Sequence, residues 1–241
     1  MSLQKKSQPY YYDLHIHTAL SPCANDDMTP NDIVGMAILN GLDLIAITDH
    51  NTIENAKAVI KAAENAQAAY GKNLIVLPGI EVSTAEEVHV LCLFDAIEKA
   101  EEFEAELSCF YNNIANRESI FGAQLIFDES DQNTGKIDRM LTAPTTISFD
   151  HLHQLTKKHG GAFVPAHIDR ESFSVTSNLG FLPPHLDIAT IELKSKNEDD
   201  NYPDKNILHS SDAHQLWSIN EKKHFLMLCE LTPKSVIELI K

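Results

Sequence analysis

His15 and His17 stand one residue apart at the end of the apolar run "YYDLHIH", and Asp212 and His214 repeat that spacing in "SSDAH". Alternate residues of an extended strand point to the same side. Side chains at i and i+2 can therefore reach one ion together. Imidazole nitrogen and carboxylate oxygen suit zinc, manganese or iron, so the chemistry on offer is metal ligation. Asp13 is in phase with His15 and His17. It is expected to accept a hydrogen bond from a ligand imidazole and fix its tautomer.

Other strand-like runs lead into similar residues. Asp49 and His50 close "LIAITDH", Glu81 follows "VLPGI", His89 lies inside "VHVLCLF", and His167 ends "AFVPAH". A single histidine at a strand end is more often structural than functional. Repeated six times, the pattern would bury polar groups without partners, at about 1–3 kcal/mol each. A metal cluster satisfies them jointly. His151, His153, His159, His185 and His224 fall on helices or loops, and His209 inside a strand; these read as structural or solvated.

The elements that must position these side chains alternate. Thr29 and Pro30 open a helix that Gly41 closes, "LDLIAIT" is a strand, and residues 52–71 are an alanine-rich helix ending at Gly71. "LIVLPGIEVST", "VHVLCLF", "AFVPAHI", "IATIEL" and "NILHSSDAH" are further strands. Helices are expected from Ala96 to about Glu118, after Ser148, and after Thr232 and Pro233. Residues 119–147 are less regular, with "FDESDQNTGK" as an exposed acidic loop. Repeated strand and helix imply a parallel sheet with right-handed crossovers. In a barrel of such strands the C-terminal ends share one mouth. Residues 1–9 read as a tail and 10–241 as one α/β domain, with no linker.

Composition sets outer bounds. The formal net charge is −16, which argues against broad contact with nucleic acid or anionic membranes. The expected partner is a small phosphorylated substrate, drawn by metal ions that supply local positive charge, with no stable nucleic-acid complex and no membrane. Four dispersed cysteines without a CxxC pair, and no apolar leader at the N-terminus, point to a cytoplasmic protein.

Taken in order, "DLHIHT", "AITDH", "PGIEVS", "HVL", "PAHIDR" and "SSDAH" resemble the PHP (polymerase and histidinol phosphatase) family, in its stand-alone bacterial form. The resemblance implies a distorted seven-stranded (β/α) barrel, TIM-like, and two to three divalent transition metals (zinc, manganese or iron). It assigns His15, His17, Glu81 and Asp212 to a first metal. Glu81 would bridge to a second with His89 and His167. His50 and His214 would hold a third with one ligand from the loop "SPCANDDMTP". Asp26 or Asp27 is expected there, with Cys23 as the alternative. Arg170, three residues after His167, is a candidate phosphate clamp, equally readable as a salt bridge to Asp169 or Glu171. Arg117 and Arg139 are weaker candidates. The implied activity is hydrolysis of phosphate esters of small molecules or nucleotides by metal-activated water, with Glu81, Asp212 and Arg170 central. The alternatives are an exonuclease-like phosphodiesterase on short oligonucleotides and a non-catalytic metal-binding regulatory domain.

Overall fold

The computed structural model describes residues 6–241. Residues 1–5 of the expected tail lie outside the described residues, and the first strand, β1 (Gln8–Ile16), already includes Gln8 and Pro9. β1, β2 (Leu44–Ile47) and β3 (Ile75–Ser83) run parallel and adjacent. Their crossovers are α1 (Pro30–Leu39) and α2 (Ala56–Tyr70). α1 begins with Pro30 at its first position, and α2 ends on Gly71 at φ +68°. That left-handed turn is one glycine adopts at little cost.

Alternation then breaks. β4 (His89–Leu93) pairs antiparallel with β3, because residues 84–88 are too few for a helical crossover. β7 (Ala162–Pro165) pairs antiparallel with β4 and so regains the direction of β1. Between them come α3 (Ile97–Leu107), the single turn α4 (Glu118–Phe121), the antiparallel pair β5 (Leu125–Phe127) and β6 (Asn133–Lys136), and α5 (Phe149–Lys158). The long helix expected to about Glu118 thus stops at Leu107, continuing only as one 3-10 turn to Phe110. α6 (Val175–Leu179) precedes the parallel pair β8 (Thr190–Glu192) and β9 (Asn206–Leu208). β10 (Phe225–Leu228) lies antiparallel on β1, and α7 (Pro233–Ile240) ends the chain with Thr232 and Ser235 forming a reciprocal cap.

The result is a mixed α/β domain with a curled six-stranded sheet, in the order β10-β1-β2-β3-β4-β7, and the β8–β9 pair beside it. The sheet is mixed where the alternation of elements implied a parallel one, and the α/β architecture of the expected distorted barrel is present without its seven parallel strands. Isolated backbone hydrogen bonds at one end stitch the remainder of the ring. His17 N donates to the Ala213 carbonyl at 3.0 Å, and Ile168 N donates to the Glu192 carbonyl at 2.9 Å.

Two apolar layers flank the sheet. Leu44, Ala46, Leu77, Leu91, Leu93, Ala162 and Val164 form the inner one. Ile45, Ile47, Val76, Ile80, Val82, Val90, Cys92 and Phe163 pack with the helices in the outer one. Strand periodicity of two puts Glu81 in phase with Leu77, and His89 in phase with Leu91 and Leu93. Both therefore extend the inner column to the mouth.

β1 reaches the same result by an irregularity. Tyr12 and Leu14 belong to the inner layer but Ile16 to the outer one, and the pairing with β2 shifts register between Asp13 and Ile16. A bulge reverses the alternation and re-aims the side chains beyond it, so that His15 and His17 turn inward.

Candidate metal centre

The polar cluster sits where β1, β2, β3, β7, β8 and β9 end and where β4 begins. The reversal of β4 explains how His89, the first residue of its strand, reaches a mouth built from C-terminal ends. Glu81 is at the centre. One of its oxygens lies 2.9 Å from His89 Nδ1 and 3.3 Å from both His15 Nε2 and His167 Nε2. The other lies 3.0 Å from His50 Nδ1 and 3.3 Å from His17 Nε2. Asp212 Oδ1 is 3.2 Å from the Nε2 of both His15 and His17. Glu81, His15, His17, His50 and His167 are all buried.

Outer partners set the ring tautomers. His15 Nδ1 donates to the Glu192 carboxylate at 3.0 and 3.1 Å. His17 Nδ1 faces Ser21 Oγ at 3.0 Å, and that hydroxyl donates to Asp49 at 2.7 Å, so it accepts from the imidazole. His214 Nδ1 donates to the Asp212 carbonyl at 2.9 Å. In each ring Nε2 is left free as a ligand.

Asp13 does not take the expected part. The bulge after Leu14 puts it out of phase with His15, and its carboxylate accepts from the backbone N–H groups of Ser211 and Asn220, both at 2.9 Å. Glu192 holds His15 instead, and sequence reasoning passed over it. Its signal was the same as Glu81's, an acid closing the apolar run "IATIE".

The charges are strongly coupled. Burial raises the Glu81 carboxyl, but the imidazoles of His89, His15 and His50 outweigh it and hold the group well below its usual range. Asp212 is likewise lowered against burial, by His15 and His17. Burial depresses His17 and His50, yet Asp212 and Glu81 push His17 up to about 9, and Glu81 with the Cys23 thiol pushes His50 up to about 9. Burial lowers His214 to about 3, reinforced by His17.

This donor set fits divalent cations. His167 Nδ1 is buried without a hydrogen-bond partner, and His50 Nδ1 and Glu81 Oε2 meet at 3.0 Å without hydrogen-bond geometry. The Nε2 atoms of His15 and His17 face each other at 3.2 Å. A carboxylate has about four lone-pair positions, too few for the imidazoles gathered on Glu81. Among the described residues three groups bring ligand atoms within 4.8 Å of one another: His15, His17, Glu81 and Asp212; His50, Glu81 and His89; and His17, His50 and His214. His167 adjoins the second group through Glu81. Asp26, Asp27 and Cys23 of the same loop are all exposed and belong to none of the groups, though the Cys23 thiol helps push His50 up.

Two cations border the mouth. Arg170 Nη2 is 2.8 Å from Asp212 Oδ2, so its ion pair is with a site residue, not with Asp169 or Glu171. Lys194 Nζ donates to the Ser211 carbonyl at 2.5 Å and lies 3.8 Å from the same Asp212 oxygen. Arg139 stands elsewhere, over the Tyr111 ring and donating to the Asn51 carbonyl. The other histidines stay outside the cluster; His153 faces the Asp187 carbonyl, His159 pairs with Glu106, and His185 with Asp150. His167 (φ +33°) and Asp212 (φ +54°) both hold left-handed backbone, strain of the kind that concentrates at functional sites.

A family model for the PHP domain matches residues 13–176. The 5'-3' exoribonuclease Rnm of Salmonella typhimurium is 38% identical over 78 residues, covering 32% of this chain and 24% of that protein. The chain thus spans about a quarter of the length of this curated relative. The lesion-specific endonuclease Q of Pyrococcus furiosus superposes with a TM-score of 0.66 at 18% identity, covering 97% of this chain and 56% of that one. A protein of Bifidobacterium adolescentis described as a candidate metal-dependent phosphoesterase superposes with a TM-score of 0.58 at 19% identity, covering 97% and 96%. At those identities the structural likenesses speak for the fold. The expectation of a small substrate and no nucleic-acid partner is corrected as well, because proteins similar to this chain in sequence and in fold are named for action on nucleic acid. Net charge is a sum over the whole surface, whereas a substrate meets the local field, and here Arg170 and Lys194 stand at the mouth. No helix among the described residues is long and apolar enough to cross a membrane.

Proposed function

The chain belongs to the PHP domain family and is a metal-dependent phosphoesterase; on that premise we propose that its substrate is a nucleic-acid strand, in which it hydrolyses phosphodiester bonds. The observation that carries the reading is Glu81, a buried carboxylate within 3.3 Å of His15, His17, His50, His89 and His167. The residues that would hold two to three divalent cations (zinc, manganese or iron) are His15, His17, Glu81 and Asp212, then His50, His89 and His167 around the same Glu81, then His17, His50 and His214. When bound, such cations lower the pKa of water and offset phosphate charge.

The chain's own groups do the rest. Glu192 and the Ser21–Asp49 pair orient His15 and His17, so that their Nε2 lone pairs converge. Arg170 is tethered to Asp212 through one terminal nitrogen and its side chain is 44% exposed. Its other N–H donors are available to a phosphate oxygen, and a guanidinium matches that geometry. Lys194 adds a second fixed positive charge on the same flank. The nucleic-acid reading draws support from the exoribonuclease and endonuclease relatives and from these two cations.

The test is turnover on single-stranded RNA and DNA oligonucleotides and on duplexes with an abasic site, after reconstitution with each metal. Metal-dependent release of nucleotides or cut strands is expected. Hydrolysis of small phosphomonoesters with no cleavage of any oligonucleotide would overturn the proposal.

A further inference from the structure

Phe173 is a half-exposed ring in a backbone conformation that phenylalanine rarely adopts. Its φ is +57° and the residue is 47% exposed. Left-handed backbone crowds the Cβ of any bulky residue, and an exposed ring gains little from burial. Both features are unfavourable in isolation, yet the surrounding chain enforces them. The Phe173 carbonyl accepts from His89 N at 2.9 Å. Ser174 caps α6 through Ser177 N and donates to the Arg170 carbonyl at 2.7 Å. Val175 is fully buried. The turn from Arg170 to Val175 is pinned at both ends.

That pinning fixes where the ring lies. Phe173 stacks on His89 with centroids 4.8 Å apart and planes 21° from parallel. His89 in turn touches Glu81 at 2.9 Å. One face of the phenyl ring is covered by a histidine of the metal cluster, and the exposure belongs to its other face and edge. Arg170, three residues earlier in the same turn, stands at Asp212. A cation suited to phosphate and an aromatic face are therefore presented together beside the cluster.

We propose that Phe173 is the base platform of the substrate site. The base of the nucleotide whose phosphate enters the cluster stacks on the exposed face and extends the His89–Phe173 stack. This inference rests on the nucleic-acid reading above and narrows it. A base within a duplex already has both faces covered, so the platform selects an unpaired or extruded nucleotide. Every base has a π-face, so stacking alone imposes little sequence preference.

The experiment measures binding of AMP and of ribose 5-phosphate to the manganese-reconstituted protein, as wild type, Phe173→Ala and Phe173→Trp, with cleavage of a single-stranded oligonucleotide followed in parallel. Wild type should bind AMP about tenfold or more tightly than ribose 5-phosphate. Phe173→Ala should lose that preference while keeping its affinity for ribose 5-phosphate, and Phe173→Trp should restore it. Equal weakening of both ligands in Phe173→Ala would reduce the ring to a support for His89 and overturn the proposal, as would a wild type that does not distinguish them. A base preference without oligonucleotide cleavage would refute the nuclease reading and leave the platform standing. Cleavage with no base preference would do the reverse.

Discussion

His15 Nδ1 faces both oxygens of Glu192, at 3.1 and 3.0 Å, across 177 positions of sequence. The pair fixes which nitrogen of His15 points at Glu81 and Asp212. Glu192→Gln keeps an acceptor for the backbone N–H of His167 but removes the charge that holds the imidazole. Metal affinity should fall about 10–100-fold, as for other outer partners of metal-binding histidines. A competition titration with a chromogenic chelator measures it, and unchanged affinity would remove Glu192 from the centre.

Glu81→Gln should cost more. It removes the charge common to the first two ligand groups, so the loss in kcat/KM should exceed the about 10–100-fold of an outer partner. Bound metal per chain should drop as well, by elemental analysis. His151→Ala, on the outward side of α5, should leave both quantities unchanged. Near wild-type metal content in Glu81→Gln would contradict the shared-ligand role.

The loop after His17 offers a separate test. Cys23, Asp26 and Asp27 are all exposed, but the Cys23 thiol is the one that helps push His50 up. Cobalt reconstitution should give a thiolate-to-metal charge-transfer band that Cys23→Ser abolishes. Asp26→Ala and Asp27→Ala should leave it in place. Loss of about one ion per chain in either aspartate variant, with no such band in the wild type, would assign the third group's ligand to that aspartate instead.

The metal-free protein should lose stability as pH rises from about 6.5 to about 9. His17 and His50 are pushed from an ordinary value of 6.5 up to about 9, against burial, by Glu81 and, for His17, Asp212. A group whose pKa is raised on folding stabilises fully below its unfolded value, and that contribution disappears through the folded one. Glu81, Glu192 and Asp212 are lowered, so their contribution is already complete above the carboxylate range. Calorimetry in chelator should show Tm falling across this window. Added manganese should flatten the fall, since metal displaces those protons. A Tm that rises from pH 6.5 to 9 without metal would contradict the coupling.

Much of the cluster was legible because its histidines and acids close apolar strands. His15, His17, His50, Glu81, His167 and Asp212 each follow such a run, and the family resemblance ordered them. The alternation of elements likewise suggested α/β architecture. Three things were hidden. The bulge between Asp13 and Ile16 inverts the phase of β1, and no periodicity argument sees a residue that breaks the period. The direction of β4 depends on the length of a connection, which reads as ordinary loop until both strands are bounded. The local field at the mouth depends on Arg170 and Lys194, which a sum of −16 averages away.

The β3–β4 hairpin also bears on the order in which the centre comes apart. Glu81 and His89 are 8 positions apart, whereas His15 and Glu192 are 177 apart. Logarithmic loop closure makes the distant contact about 3 kcal/mol more demanding in chain entropy. Partial opening therefore separates the segments that carry Glu192 and Asp212 before it parts Glu81 from His89. The hairpin keeps a two-residue remnant of the centre assembled, from which the distant arm can be recaptured each time the domain closes.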